Sequence, residues 1–512
     1  MQKAGSILEN ICDRSVKIII FLITGVLAFW AAKYSYFYPT DYAQERLRIA
    51  PDSVFQNFLS LGVFLLLIFL LKSIILRGPE SRQRKKVLIF AIFSLVITGA
   101  LLIFYVSQTH IPPYWDQAQV YYDSLNFMSG DYGSMKTYLG MYPQQYGLIF
   151  LYEALFRILP DTYIIIEYLN VLFVLGIIFF SYQISDELFH NQTVNFYCIL
   201  CATLFLPMHI YVNFVYGDLA SSALSVLGIW AVLKWHHTGY FRYSVTAVLA
   251  FCLAYLSRKN VLIILIAVLL ALLIDSFKRR NWKSIVLGIA ILLIPMVCTE
   301  GVKLTYEIRS GEEISEGIPA SLWITMGMQE SSNGSGVFSG FTESIYQGAA
   351  YGDSQYASEI AMICIENRLS EFIDDPDMAI DFYKSKIQGQ WIEPTFSALM
   401  MTSKLGENPT EFTLNFYFGK AAEWCIILSN YYNFIIYFSV MIFAIAFLFK
   451  KNSIIQSTSL IAVIGGFLFS ILWEAKGRYV MPYIILLLPY MAYGIYAMQT
   501  KILNTLSYIR KK

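Results

Sequence analysis

Apolar residues run along this chain in long blocks, broken by short polar interruptions. A membrane-spanning helix needs roughly 20 mostly apolar residues, within a range of about 17–25. Blocks that reach or approach that length predict spans near 16–33, 54–76, 87–106, 162–182, 193–214, 218–234, 242–257, 260–275, 284–300, 427–449, 455–473 and 479–498. One more apolar stretch, Tyr146–Leu159, is shorter and holds Glu153 and Arg157. It is expected to lie at the membrane surface instead of crossing.

Composition agrees with this pattern. Hydrophobic residues make up 57% of the chain and charged ones 14%, with a mean hydropathy of +0.54. Soluble domains carry about 25% charged residues. Lys+Arg (37) and Asp+Glu (36) nearly cancel, so no basic surplus points to nucleic acid. The seven cysteines are expected to stand singly, giving neither a zinc site nor a disulfide framework. A soluble enzyme, a disulfide-stapled secreted scaffold and a nucleic-acid binder are excluded. The chain reads as an all-α polytopic membrane protein.

Sidedness follows from the basic loops, since cytoplasmic loops are rich in Lys and Arg. Lys72–Lys86, Lys234–Arg242, Lys278–Lys283, Lys450–Lys451 and the tail Arg510-Lys511-Lys512 share one side if 146–159 does not cross. This predicts twelve spans with both termini cytoplasmic. The loop 183–192, without Lys or Arg, and the loop 34–53, with Arg46 and Arg48, depart from the rule. Facing outward are 107–160, the turns at 216–218, 257–260 and 473–478, and the long segment 301–426. That segment holds 18 acidic against 7 basic residues, and Asp353–Arg368 and Asp377–Lys386 within it read as amphipathic helices. Four parts result: 1–86 with two spans of no assigned role, a membrane core 87–300 with the first outer loop, the outer domain 301–426, and three spans in 427–512.

Candidate chemistry gathers on the outward side. In the first outer loop Pro112-Pro113 stops one helix, and Tyr114–Met128 resumes helical periodicity. Its apolar stripe is Ala118, Tyr121 or Tyr122, Leu125 and Met128, and Gly130 ends it. Asp116 stands in the first turn and Asp123 two turns later. Asp116 reads either as a charge favoured by the helix dipole or as a carboxylate, partly desolvated by Tyr114 and Trp115, suited to taking a proton. Downstream, Tyr142-Pro143-Gln144-Gln145 opens a helix that can lie beside it. Asp218, in the turn Tyr216-Gly217-Asp218, reads as a site acid or as a helix N-cap.

Arg258-Lys259 breaks the positive-inside pattern and needs an anionic partner, either a carrier phosphate or ordinary lipid headgroups. In the turn Trp473–Tyr479, Glu474 and Arg478 would pair on a helix. Gly477 favours a turn that leaves Arg478 free, and the same Trp, Tyr and Arg could simply anchor the interface. Trp391 and Tyr383 offer flat faces for a sugar ring or for core packing.

A span, then an outer loop whose helix opens on an acid, then a "GDY…Y…YP" segment, resembles the first outer loop of GT-C glycosyltransferases. That fold includes the dolichyl-phosphate-mannose protein mannosyltransferases and their bacterial relatives. The turn with Glu474, Gly477, Arg478, Tyr479 and Pro482 resembles the "E…GRY…P" junction of the bacterial members, and Tyr216-Gly217-Asp218 their acidic turn. Parts of 301–426 (319–328, 334–338 and 381–395) are similar to their outer domain. The likeness covers most of the chain from about residue 87, and the family's Asp-Glu pair is absent because Gln117 follows Asp116.

The resemblance implies a GT-C-like bundle of about twelve spans with outer juxtamembrane helices and a mostly helical outer domain. It implies transfer of a monosaccharide from a polyprenyl-phosphate carrier to a glycan, lipid or protein acceptor. Asp116 is then the general base. Arg258, Lys259 and Arg478 hold the donor phosphate, and Asp123, Tyr142, Gln145, Asp218, Glu474, Tyr479 and Trp391 bind substrate. Such a reaction uses no nucleotide, and no phosphate-cradling glycine loop is present. His110, His190, His209, His236 and His237 are dispersed, so no cluster demands a metal, and a divalent ion is left open. Two other classes share these features: a flippase for lipid-linked sugars, and a non-enzymatic subunit of an envelope assembly complex.

Overall fold

A computed structural model describes residues 2–38, 46–109 and 111–511; Met1, residues 39–45 of the 34–53 loop, His110 and Lys512 lie outside the described residues. Among the described residues, ten helices are long and apolar enough to cross a membrane. They are Gly5–Lys33, Val54–Ile75, Glu80–Thr109, Tyr163–Phe189, Asp218–Thr238, Lys259–Arg279, Trp282–Ser310, Lys420–Phe447, Ile454–Leu472 and Met481–Thr505. The protein is an all-α polytopic membrane protein.

Of the two remaining apolar blocks, one is broken and the other is a single shorter helix. Residues 193–214 form a broken pair, Gln192–Thr203 and Leu206–Asn213, bent by 49°. Pro207 accounts for the break: continued helix would drive its ring into the carbonyl of Thr203, where the first half ends. Phe241–Ser257 is a helix of 17 residues. Helix Tyr146–Phe156 has 11 residues, about 16 Å at ~1.5 Å per residue, roughly half of a hydrocarbon core. Cys198 and Cys201 do not stand singly: they are three apart on helix Gln192–Thr203. Both are buried, free thiols.

Helix Met481–Lys511 runs through the middle of the bundle, against Lys420–Phe447, Gln192–Thr203 and Thr458–Leu472. It packs tightly on Lys420–Phe447 at Gly494, where an added Cβ would lie 1.8 Å from the carbonyl oxygen of Ser439. Overpacked cores lose about 1–3 kcal/mol, occasionally more, and a backbone oxygen has little room to yield. Gly494→Ala should therefore sharply lower the melting temperature in detergent. An unchanged melt would show that the two helices separate freely.

The first two spans have definite places. At one end of the bundle Asp13 accepts from Lys17 at 2.5 Å and from Ser457 Oγ at 2.8 Å, and Glu9 pairs with Lys278 at 2.6 Å. At the other end Tyr34–Phe37 pairs antiparallel with Arg48–Pro51. This hairpin docks on the polar segment 301–426: Tyr36 donates to Gln388 Oε1 at 2.6 Å, and Tyr38 and Ser397 hydroxyls lie 3.2 Å apart. Within that segment the longest helices are Ser354–Asp374 and Pro376–Trp391.

Candidate functional site

Asp116 opens helix Asp116–Ser129, which Gly130 closes at φ 89°. Trp115, at φ 51° and ψ −135°, turns the chain out of the Pro112-Pro113 stretch and into the helix. The buried face is Gln117, Val120, Tyr121, Asp123, Ser124 and Phe127, rotated from the apolar stripe expected at 118, 121 or 122, 125 and 128. Polar residues bond their way into the core here. Gln117 Oε1 accepts from Val215 N at 2.9 Å, and its Nε2 donates to Met401 O at 3.3 Å. The residue standing where a second acid was expected is a brace between the Asp116 helix and the turn at 214–217.

That brace sets Tyr216 beside Asp116. Tyr216 donates its hydroxyl hydrogen to Asp116 Oδ2 at 3.3 Å, and Gln145 Nε2 donates to the Tyr216 oxygen. Burial, with the Asp116 charge behind it, raises the Tyr216 pKa, so the hydroxyl keeps its proton. Gly217 follows at φ 80°, a conformation that favours glycine. Gly217, and not Asp218, is the N-cap of helix Asp218–Thr238, and Asp218 is its first residue. Asp218 Oδ1 instead lies 3.8 Å from Arg258 Nε.

Arg258 and Arg478 converge on the Tyr216 ring, with guanidinium carbons 4.6 and 5.2 Å from its centroid. Arg478 is 5% exposed. Its Nη2 donates to Tyr479 Oη at 3.3 Å, and its Nε and Nη1 are buried with no hydrogen-bond partner among the described residues. Lys259 Nζ donates to Thr299 Oγ1 at 2.8 Å and lies 4.1 Å from the Tyr255 centroid. Glu474 does not pair with Arg478: it accepts from Tyr479 at 2.9 Å, and residues 477–479 form a 3₁₀ turn.

These groups surround a cavity of about 270 Å³. Of the residues singled out from the sequence, Asp116, Tyr142, Gln145, Arg258, Lys259, Arg478 and Tyr479 line it. Asp218 lines a space of about 20 Å³ that shares Arg258, Arg478 and Tyr479 with the larger one. Three residues lie elsewhere: Glu474, held by Tyr479 as above, Asp123 and Trp391. Asp123 is on the buried face of its helix, where desolvation pushes its pKa up to about 6. Trp391 is 0% exposed, with Nε1 donating to Ser470 Oγ at 3.2 Å and its ring near Phe467 and Tyr483. It packs the core and offers no face to a sugar.

Sequence reasoning missed the convergence of the aromatic rings, although Tyr216 and Trp473 stand in turns it singled out and Trp323 in the stretch 319–328. Tyr138, Tyr216, Trp323 and Trp473 also line the cavity, and the two tryptophans stack with centroids 6.0 Å apart at 13°. Tyr142 donates to Glu343 from the far part of the segment 301–426. Nothing in the local sequence marks these side chains among so many aromatics. The turn that carries Arg478 is clasped by the same segment: Lys386 Nζ donates to Gly327 O and to Ile471 O, and Ala475 N donates to Gly336 O at 2.7 Å.

Behind that turn, the backbone of Phe396 packs against Gly477 in a loop held by Glu393. Glu393 accepts from Thr395 N at 2.9 Å, Thr395 Oγ1 at 2.5 Å and Ser397 N. Burial outweighs these bonds and pushes its pKa from 4.5 up to about 7. A carboxyl raised in the folded state stabilises the fold below its unfolded pKa, and that stability is lost as pH rises through the folded value. Melting temperature should thus decline between about pH 4.5 and 7. Glu393→Gln should flatten the decline, and an identical slope in both proteins would remove Glu393 as its cause.

The arrangement combines one carboxylate, two guanidiniums of which one has open donors, and a wall of flat rings. It can hold an anionic ester, stack its ring and take a proton beside it. No group of three or more His, Cys, Asp or Glu side chains suited to a metal ion occurs among the described residues. Compared with models of known protein families and with curated proteins, the chain matches none.

Proposed function

We propose that the protein is an integral membrane glycosyltransferase with a GT-C-like bundle of about twelve spans. It moves a monosaccharide from a polyprenyl-phosphate carrier to a glycan, lipid or protein acceptor. In this reading both termini are cytoplasmic, and the pocket opens on the extracytoplasmic side. The observation that carries it is Arg478: a buried guanidinium with two open N–H groups, on the wall of a pocket that also holds Asp116. A desolvated cation with unused donors suits a phosphate oxygen. A volume of about 270 Å³, at ~30 Å³ per water-sized group, is room for about nine such groups, on the scale of one sugar ring.

The donor phosphate sits on Arg478, with Arg258 and Lys259 adding charge. Asp116 takes the proton from an acceptor hydroxyl, and that oxygen attacks the anomeric carbon from the side opposite the phosphate. The bond from the anomeric carbon to the phosphate oxygen breaks, the phosphate leaves with the electron pair, and configuration inverts. The cations stabilise the charge gathering on the leaving group. Tyr216 orients Asp116 and, through its ring, both guanidiniums.

Glu167 favours a second reading, translocation of the lipid-linked sugar. It lies in span Tyr163–Phe189, is fully buried, and neither carboxyl oxygen has a partner among the described residues, as in many proton-coupled transporters. Purified protein in bilayers, given a panel of radiolabelled polyprenyl-phosphate sugars, separates the two. Transfer or hydrolysis supports the enzyme, and movement between leaflets without turnover supports the transporter.

A further inference from the structure

A second cavity, of about 320 Å³, lies among the apolar helices and shares no residue with the pocket above. Its walls come from helix Val54–Ile75, the break at Leu204–Pro207, the loop residues Pro394 and Phe396, and helix Lys420–Phe447. Val63, Leu67, Leu204 and Leu428 form a rim that is about half exposed, whereas Phe205, Phe396 and Ile436 at its end are 0–1% exposed. The slot thus opens on the apolar outer surface of the bundle and ends deep inside it. It exists because Pro207 breaks the helix, and because helix Val54–Ile75 buries only Asn57, Leu61 and Ile68.

We infer that this slot holds one acyl chain of a bilayer phospholipid, inserted with its terminal carbons against Phe205 and Phe396. Its rim is continuous with the faces that spanning helices present to lipid, so hydrocarbon is the surrounding solvent. An empty slot would forfeit dispersion contacts along its whole lining. The lining is mostly apolar: the donors of Ser60, Tyr432 and Asn433 are engaged by backbone carbonyls of Asn57, Cys201, and Trp391 and Ile392, which leaves Ser429 Oγ and Asn433 Oδ1 as buried lining atoms without a partner among the described residues. A volume of about 320 Å³, at ~30 Å³ per water-sized group, takes about ten chain carbons. It is too small for a partner helix, whose diameter is about 10 Å. No Lys or Arg lines the slot, so an anionic carrier phosphate has no seat beside it.

The test uses the full chain in phosphatidylcholine nanodiscs doped with phosphatidylcholine bearing a diazirine at the end of one acyl chain. After irradiation, labelled positions are mapped by peptide mass spectrometry. Label at Phe205 or Phe396, which bulk lipid cannot reach, is the expected result. Ser60→Trp should fill the slot and cut that label at least several-fold, while label on exposed Phe55 and Leu59 stays constant. Leu67→Trp, at the rim, serves the same purpose if the first variant fails to fold. Two outcomes overturn the inference: label confined to exposed faces, or label at Phe205 and Phe396 that both variants leave unchanged. Label there from a diazirine-bearing polyprenyl phosphate but not from phosphatidylcholine would also overturn it, assigning the slot to the carrier.

Discussion

With Asp116 replaced by asparagine, turnover should fall by about 10²–10⁴-fold, the usual contribution of a positioned base, while donor binding survives. The amide is nearly isosteric and still accepts from Tyr216, so the constellation stays assembled and only the basic oxygen is lost. Binding of the polyprenyl-phosphate sugar, measured alongside turnover, separates this effect from misfolding. A variant that binds donor normally and turns over at the wild-type rate would move the base elsewhere, with Asp218 the next carboxylate along the wall. Tyr216→Phe should act in the same direction but more weakly, because Asp116 loses a partner and keeps its charge.

Arg478→Gln should be nearly as severe. Hydrogen bonds to charged groups contribute about 1.5–3 kcal/mol each, and donors stabilising transition-state charge are worth about 10²–10³ in kcat. Two open guanidinium donors therefore predict losses in both donor affinity and kcat. Arg478→Lys tells charge apart from shape: it restores a cation without the planar fork. Affinity should return in part and kcat stay low. Full recovery with Lys would mean that only charge matters at this position, and wild-type donor affinity in Arg478→Gln would place the phosphate elsewhere.

The residues legible in the sequence were those that violated a pattern. Arg258, Lys259 and Arg478 are cations at apolar boundaries, and Asp116 is an acid opening a helix between prolines; all four line one cavity. Tyr138, Tyr216, Trp323 and Trp473 violate nothing, because aromatics make up 16% of the chain, and only tertiary convergence singles them out. Trp391 shows the reverse error, since an indole suited to stacking on a sugar is equally suited to the core. Apolar blocks located the helices well, because burial in lipid and helical hydrogen bonding demand the same long runs. The hairpin Tyr34–Phe37 with Arg48–Pro51 escaped notice, since its strands are four residues each and take their place from Gln388 and Ser397, far along the chain.

The clasp of the segment 301–426 on the turn at 473–479 has a consequence for the order of synthesis. A nascent chain that has reached the middle of its length already carries Asp116, Tyr216 and Arg258, and soon afterwards Trp323. It has no Arg478, and Gly336 and Lys386 have no turn to grip. Arg478 thus takes its place last, when the final pair of helices enters the bundle and the waiting Gly336 carbonyl and Lys386 amine close on the segment between them. A half-made molecule holds Asp116 and Tyr216 but neither Trp473 nor Arg478. The pocket becomes competent in one late step of assembly.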